Sequence, residues 1–295
     1  MHEGFKPMLS GKKGDVVQFP VIVSPKLDGI RSVYLNETPV SRTLKKLPNK
    51  YVQERLSHPC LLGLDGEVLV GPTHAPDVFS RTTKMVMSHN KEDACALWVF
   101  DAFKLPHLPF KERLARAGDW VCIAQSMGLP VHAVPHKYVH NQAQLEDAEE
   151  EYVSMGYEGI MLRSPEGTYK FGRSTTKEGA LLKWKRFEDA EAVVIGFAEQ
   201  MHNGNEATKD AFGNTKRSTH KENKTGKATL GAIIGRDVKT GLEVRCTGFT
   251  DTWKREIWEN QEKYLGKQFV YKWFPHGSVE KARHPGFKYW REDGF

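Results

Sequence analysis

Short apolar runs separated by turn residues fill the first two-thirds of the chain. Val21-Ile22-Val23, Leu61–Val70, Leu97–Phe100 and Gly159–Leu162 each stay apolar over about 4–8 residues, which predicts buried strands. Between them, Lys111–Met127 and Gln142–Met155 carry helical spacing and composition and predict two helices. The acidic cluster Glu146, Asp147, Glu149, Glu150 and Glu151 reads most simply as the solvated face of the second helix.

Near residue 189 the pattern changes. Ala192–Gly196, Ala232–Ile234, Leu242–Cys246 and Phe269–Tyr271 are short strands between turns, with one helix predicted over Thr252–Tyr264. About five strands in roughly a hundred residues predict a small closed barrel of the OB type. A polar stretch, His202–Ala228, interrupts it with many Lys, Asn, Thr and Gly and almost no large apolar residue. Such a stretch cannot build a core, so a long exposed loop is predicted. The expected organisation is α+β, with a first domain over 1–189, a second over 190–295 and the polar insert at about 202–228.

Composition narrows the classes. The 295 residues, 39% hydrophobic and 27% charged, suit a globular protein. At roughly 100–200 residues per domain, two domains are expected. No apolar run approaches the ~18 residues of a membrane helix. The opening MHEGFKPMLSGKKGD lacks the apolar stretch of a signal peptide. A cytoplasmic protein without a membrane partner is expected. The net charge of +6 and pI near 9.0 favour a polyanionic partner without establishing one. Cys60, Cys95, Cys122 and Cys246 form no CxxC pair, which fits a reducing compartment.

Several nucleotide and hydrolase signatures are absent. Gly11-Lys12, Gly226-Lys227 and Gly266-Lys267 lack the rest of a P-loop, and there is no GxGxxG, HExxH or GxSxG. The 12 histidines show no metal-ligand spacing. A bound nucleotide would have to be held by side chains.

Candidates for that task exist. Lys26 lies in Ser24-Pro25-Lys26-Leu27-Asp28-Gly29-Ile30-Arg31, directly after an apolar strand. One reading is an Asp-Gly turn beside a surface lysine. The other is a nucleophilic lysine at a strand end, which needs partial burial and convergent cations to free its lone pair. Lys183 and Lys185 are two apart in Leu181-Leu182-Lys183-Trp184-Lys185. In a strand they would share a face, either entering one pocket or marking an amphipathic edge. Asp65 and Glu67 share a face of an apolar strand in the same way, and Glu158 opens another. A carboxylate there is costly unless it binds a cation or a hydroxyl.

Taken in order, these segments resemble the covalent nucleotidyltransferase superfamily of ATP-dependent DNA ligases and mRNA capping enzymes. Lys26 to Arg31 is similar to the KxDGxR motif, and Ser41-Arg42-Thr43 to the next one. Leu64 to Val68, Trp98 to Asp101, Glu158 to Arg163 and Leu181 to Lys185 resemble the remaining motifs of the catalytic domain. Tyr169 to Thr175, Lys177 to Gly179 and Lys216 to Lys221 are similar to the minimal two-domain viral ligases, so a viral or bacterial origin is expected. Arg283 to Phe287 and Arg291 to Asp293 resemble the C-terminal motif more loosely.

The resemblance implies a nucleotidyltransferase (ATP-grasp-like) domain with mixed and antiparallel sheets, followed by an OB-fold β-barrel. It implies that Lys26 takes AMP from ATP, with Lys183 and Lys185 on the α-phosphate. Glu67 would contact the ribose and Phe100 would stack on the adenine. Glu158 would bind a divalent ion with Glu67, namely Mg2+ or Mn2+. Arg31 would lie by the nucleotide, and Arg283, Arg291 and Asp293 on the pyrophosphate side. Ser41, Arg42, Thr43 and Arg173 would hold the nick, and Lys216, Arg217, Lys221 and Lys224 would clamp duplex DNA. The implied activity is sealing of nicked double-stranded DNA by a monomer. An RNA ligase or a capping guanylyltransferase would use the same chemistry, and a non-catalytic OB-fold binder is the reading from another class.

Overall fold

The computed structural model describes residues 4–12, 17–35, 38–185, 187–210, 213–274 and 282–291. The chain divides into two compact units, Met1–Lys185 and Arg186–Phe295. Among the described residues no helix is long and apolar enough to cross a membrane.

The first unit is built on two five-stranded sheets. One has the order Gly11–Lys12, Leu182–Trp184, Ile160–Arg163, Val21–Pro25, Lys137–Val139. The other runs Val40–Ser41, Ile30–Val33, Leu64–Val70, Cys95–Ala102, Val131–Ala133. Both are antiparallel except where Gly11–Lys12 pairs with Leu182–Trp184 and Cys95–Ala102 with Val131–Ala133. The chain passes from the first sheet to the second through Lys26–Gly29, so Lys26 sits at the crossing. Gly29 permits that passage, because a Cβ there would lie 2.5 Å from the Val68 carbonyl oxygen. Gly159 does the same on the facing strand, with φ +143° and a virtual Cβ 2.4 Å from the Trp184 carbonyl.

Helix Phe110–Ser126 buries Phe110, Ala117, Val121 and Ala124, the last three within the core of the second sheet. Helix Gln142–Ser154 packs Leu145, Ala148 and Tyr152 on the first. Its Asn141 cap accepts from the Gln144 amide at 2.9 Å. The acidic face is less uniform than its sequence implies. Glu146, Asp147, Glu150 and Glu151 are exposed, but Glu149 is buried, because its position falls beside Ala148 on the inward side.

Two helices escape the apolar pattern, Lys50–Leu56 and Val78–Val86. Both are short, so neither offers enough turns for a period to emerge. Fully buried Asn49 joins them. Its Oδ1 caps the first at the Val52 amide, and its Nδ2 donates to the carbonyls of Met85, Ser88 and Lys91. The run expected to be one strand from Leu61 starts with a 3-10 turn over Pro59–Leu61, and pairing begins only at Leu64.

The second unit is a five-stranded antiparallel sheet. Its order is Glu243–Cys246, Lys224–Asp237, Glu188–Asn203, Gln268–Phe274, Arg283–Trp290. Helices Asp251–Glu259 and Gln261–Tyr264, separated at Asn260, lie between the third and fourth strands in sequence. The edge strands meet at a parallel bridge between Thr247 and Gly286. This order and helix placement are of the OB type. No continuous ladder closes the barrel among the described residues.

The polar insert is not the loop its composition predicts. Strands Glu188–Asn203 and Lys224–Asp237 pair out to Asn203 and Lys224, and the tip folds into a hairpin of Ala207–Lys209 with Thr215–Arg217. A two-stranded ribbon meets its backbone hydrogen bonds internally and needs no apolar core to do so. Buried Asn205 braces the base by donating to the carbonyls of Ser218 and His220 at 3.0 and 2.9 Å.

Candidate active site

A cavity of about 330 Å3 opens in the first unit. Eight residues singled out from the sequence line it: Lys26, Arg31, Arg42, Glu67, Phe100, Arg173, Lys183 and Lys185. Strand alternation accounts for the lysine pair. Leu182 and Trp184 are buried in the core of the first sheet, so Lys183 and Lys185 emerge on the opposite side.

Glu158 is the counter-ion at the centre. Its carboxylate is buried and forms ion pairs with both Lys26 and Lys185. The lysine side chains keep 21% and 17% of their surface, enough to face the cavity. Lys26 is therefore not surrounded by cations alone, as its sequence context suggested. One carboxylate pairs with two ammonium groups and leaves a net positive charge, and the Lys26 backbone amide is fixed to the Gly159 carbonyl at 2.8 Å.

The surrounding charges are uneven. Burial, then the charges of Lys26, Arg173, Lys12 and Arg42, lower the pKa of Lys183. Burial pushes the Glu67 carboxyl up to about 7, and Arg31 and Lys26 offset only part of that effect. Arg31 is clamped by Asp65, with Nε and Nη2 donating at 2.5 and 2.6 Å. Its Nη2 also donates to the Met8 carbonyl at 3.2 Å, and its guanidinium lies 4.7 Å from the Phe100 ring centroid. Asp65 is thus committed to Arg31 and to the Tyr169 hydroxyl at 2.5 Å, and leaves Glu67 as the cavity-facing carboxylate of that strand.

Other nominated residues lie elsewhere. Ser41 and Thr43 hydrogen-bond one another at 3.2 Å and do not line the cavity, whereas Arg42 between them does. Arg173 is anchored by the Ser10 carbonyl at 2.7 Å. In the second unit, Arg291 pairs with Glu191, and the Arg283 guanidinium lies 5.8 Å from the Phe274 ring centroid. Lys216, Arg217 and Lys221 are exposed on the ribbon, and Lys224 is half-buried at its base. Asp293 lies outside the described residues.

A hard divalent cation fits the donor chemistry. Mg2+ is commonly held by one or two carboxylates plus substrate phosphates. Glu158 supplies such a carboxylate, and no cluster of three or more His, Cys, Asp or Glu forms a complete cage among the described residues. Glu67, protonated until near neutrality, is the weaker ligand.

Sequence reasoning missed the groups that brace the cavity. The segment carrying Met8, Leu9 and Ser10 enters its wall. Asp101 binds both Arg113 and Arg163, and Arg163 also lines the cavity. Charges at the ends of buried strands were the available signal, but they do not reveal their partners.

A lysine paired with a buried carboxylate, two further lysines and an aromatic ring around one cavity is the side-chain set that covalent nucleotidyl transfer requires. The profile of the ATP dependent DNA ligase domain matches residues 10–185. The crystal structure of Chlorella virus DNA ligase-adenylate is similar, at 30% identity over 97% of this chain and 99% of that one, with a TM-score of 0.55. A Lig E DNA ligase shares the fold at 22% identity, 97% and 99% coverage and a TM-score of 0.71. The ligase domain of M. tuberculosis LigD does so at 15% identity, 100% and 97% coverage and a TM-score of 0.50. No curated protein sequence matches. The chain belongs to the ATP-dependent DNA ligase family and is a ligase.

Proposed function

We propose that this ligase seals 5′-phosphate/3′-hydroxyl nicks in duplex DNA, with Lys26 as the nucleophile. The observation that carries this reading is the placement of Lys26, Lys183 and Lys185 on one cavity, with buried Glu158 paired to Lys26 and Lys185. In the first step the neutral amine of Lys26 attacks the α-phosphorus of ATP. A P–N bond forms, the P–O bond to pyrophosphate breaks, and the amine proton is released. In the second step a 5′-phosphate oxygen at the nick takes the adenylyl group and the P–N bond breaks. In the third, the 3′-hydroxyl attacks that 5′-phosphate, AMP leaves, and the strand is joined.

Lys183 and Lys185 stabilise the charge that builds on the α-phosphate oxygens. Burial first, and then the neighbouring cations, lower the proton affinity of Lys183, and an anionic phosphate would relieve the second of these. Phe100 offers its ring to the adenine and Glu67 an acceptor to the ribose. Arg31, already clamped, presents a fixed cation to the nucleotide. Arg42, with Ser41 and Thr43, grips the 5′-phosphate, helped by Arg173. Mg2+ or Mn2+ bound through Glu158 would neutralise phosphate charge and relieve Lys26 of its counter-ion. Arg283 and Arg291 act on the pyrophosphate side, and the ribbon with Lys216, Arg217, Lys221 and Lys224 lies along duplex phosphates. We assign the working form to a cytoplasmic monomer.

Incubation with ATP followed by intact-mass measurement tests the first step. Wild type should gain one adenylyl group and Lys26→Ala none, while the variant still binds a nicked duplex. Labelling from GTP alone would overturn the reading in favour of a guanylyltransferase. Joining of nicked RNA but not nicked DNA would favour an RNA ligase.

A further inference from the structure

Behind the Phe100 platform lies a buried ionic cluster with no part in the proposed steps. Asp101, Arg113 and Arg163 are 0%, 1% and 3% exposed. Arg113 donates to Asp101 through Nε at 2.9 Å and Nη2 at 3.2 Å. Arg163 donates through Nη1 at 2.6 Å to Oδ2, the same carboxylate oxygen that accepts from Arg113 Nη2. Arg113 Nη1 also reaches the carbonyls of Leu108 and Gly167, so its fork is committed to this arrangement. Burial opposes ionisation of Asp101, but the two arginines outweigh it and hold the carboxyl below its ordinary range.

The cluster ties together two walls of the cavity. Asp101 is in the Cys95–Ala102 strand, next to Phe100. Arg163 ends the Ile160–Arg163 strand, which begins two residues after Glu158 and belongs to the other sheet. Arg163 lines the cavity, and its guanidinium lies 5.6 Å from the Phe100 ring centroid and 4.5 Å from that of Phe110. Stability alone accounts poorly for such a cluster, since well-packed apolar side chains often match or exceed a buried ion pair. What the cluster supplies is a fixed distance between the sheet that carries Phe100 and the sheet that carries Glu158.

We infer that Asp101 and Arg163 are positioning residues for nucleotide binding, locking the aromatic platform to the strand that carries Glu158. This rests on the proposed adenylation at Lys26. The consequence is selective: loosening the lock should weaken capture of ATP more than the covalent step, because Lys26 and Lys185 keep their ion pairs with Glu158 and Lys183 keeps its strand pairing with Met161.

The test uses the full chain with Asp101→Asn and, separately, Arg163→Met. The second leaves Asp101 paired one-to-one with Arg113, so no buried charge is stranded and the fold should persist. KM for ATP and kcat of adenylate formation are measured beside thermal unfolding and the sealing of a chemically pre-adenylated nick. Arg163→Met should raise KM roughly tenfold while kcat stays within about threefold. Pre-adenylated sealing should change far less than KM, and Asp101→Asn should show the same split. An unchanged KM in a folded Arg163→Met protein would overturn the inference. So would proportional loss in every step that tracks the unfolding temperature, which a purely structural role produces. Wild type that forms no adenylate in this assay would defeat the proposed adenylation itself.

Discussion

Replacing Glu67 by Gln should make the protein more stable in base and less able to use ATP. In the fold, burial raises the carboxyl to about 7 from an ordinary 4.5. At 1.36 kcal/mol per pH unit, that difference amounts to about 3 kcal/mol. The folded state holds its proton more tightly than the unfolded chain, so this contribution is fully present below pH 4.5. It is lost as pH rises through about 7. Gln keeps the shape and an acceptor oxygen but never ionises. Melts of wild type and Glu67→Gln, followed by circular dichroism, should therefore nearly coincide at low pH and separate as pH rises. At roughly 2–4 °C per kcal/mol for a unit of this size, the variant should lead by about 6–12 °C in mild base. If the ribose contact needs the carboxylate, ATP use by wild type should fall below neutrality, and the variant should show a lower, pH-flat rate of adenylate formation. A melting difference that stays constant with pH would refute the burial argument. An unchanged acidic limb in the variant would show that another group titrates.

Ala at Lys216 and Arg217 should weaken binding to a nicked duplex, and the slope of log K against log salt should shrink by about 1.8 for two lost phosphate contacts. A slope equal to that of wild type would remove the ribbon from the DNA interface. Asn49→Ala removes the donor to the Ser88 and Lys91 carbonyls as well as the helix cap, so urea unfolding should show a loss above the roughly 0.5–2 kcal/mol of an ordinary cap. A loss within that range would mean that water replaces the side chain. Arg42→Ala should spare adenylate formation and slow transfer of AMP to the nick; equal loss in both steps would place Arg42 on the nucleotide instead.

How much of this was legible depended on whether a residue's role is local or relational. Lys183 and Lys185 could be placed on one face because strand alternation needs only the spacing between them, and the apolar Leu182 and Trp184 fix which face is buried. The insert was misjudged because absence of apolar residues was read as absence of structure. Backbone pairing across Asn203–Lys224, with Asn205 bracing it, requires no apolar residue at all. Glu149 was misplaced because a run of five acidic positions spans more than one face of a helix, and Ala148 beside it turns inward. Asp101 shows the deeper limit. Its partners stand 12 and 62 positions away, and nothing in the Arg113 or Arg163 segments distinguishes an arginine that meets a buried carboxylate from one that meets water. Only the packing of two sheets against each other makes that distinction. For the same reason the site reads from sequence as a list of nucleophile, lysines and aromatic, while the spacing that makes the list a pocket resides in contacts that no short motif encodes.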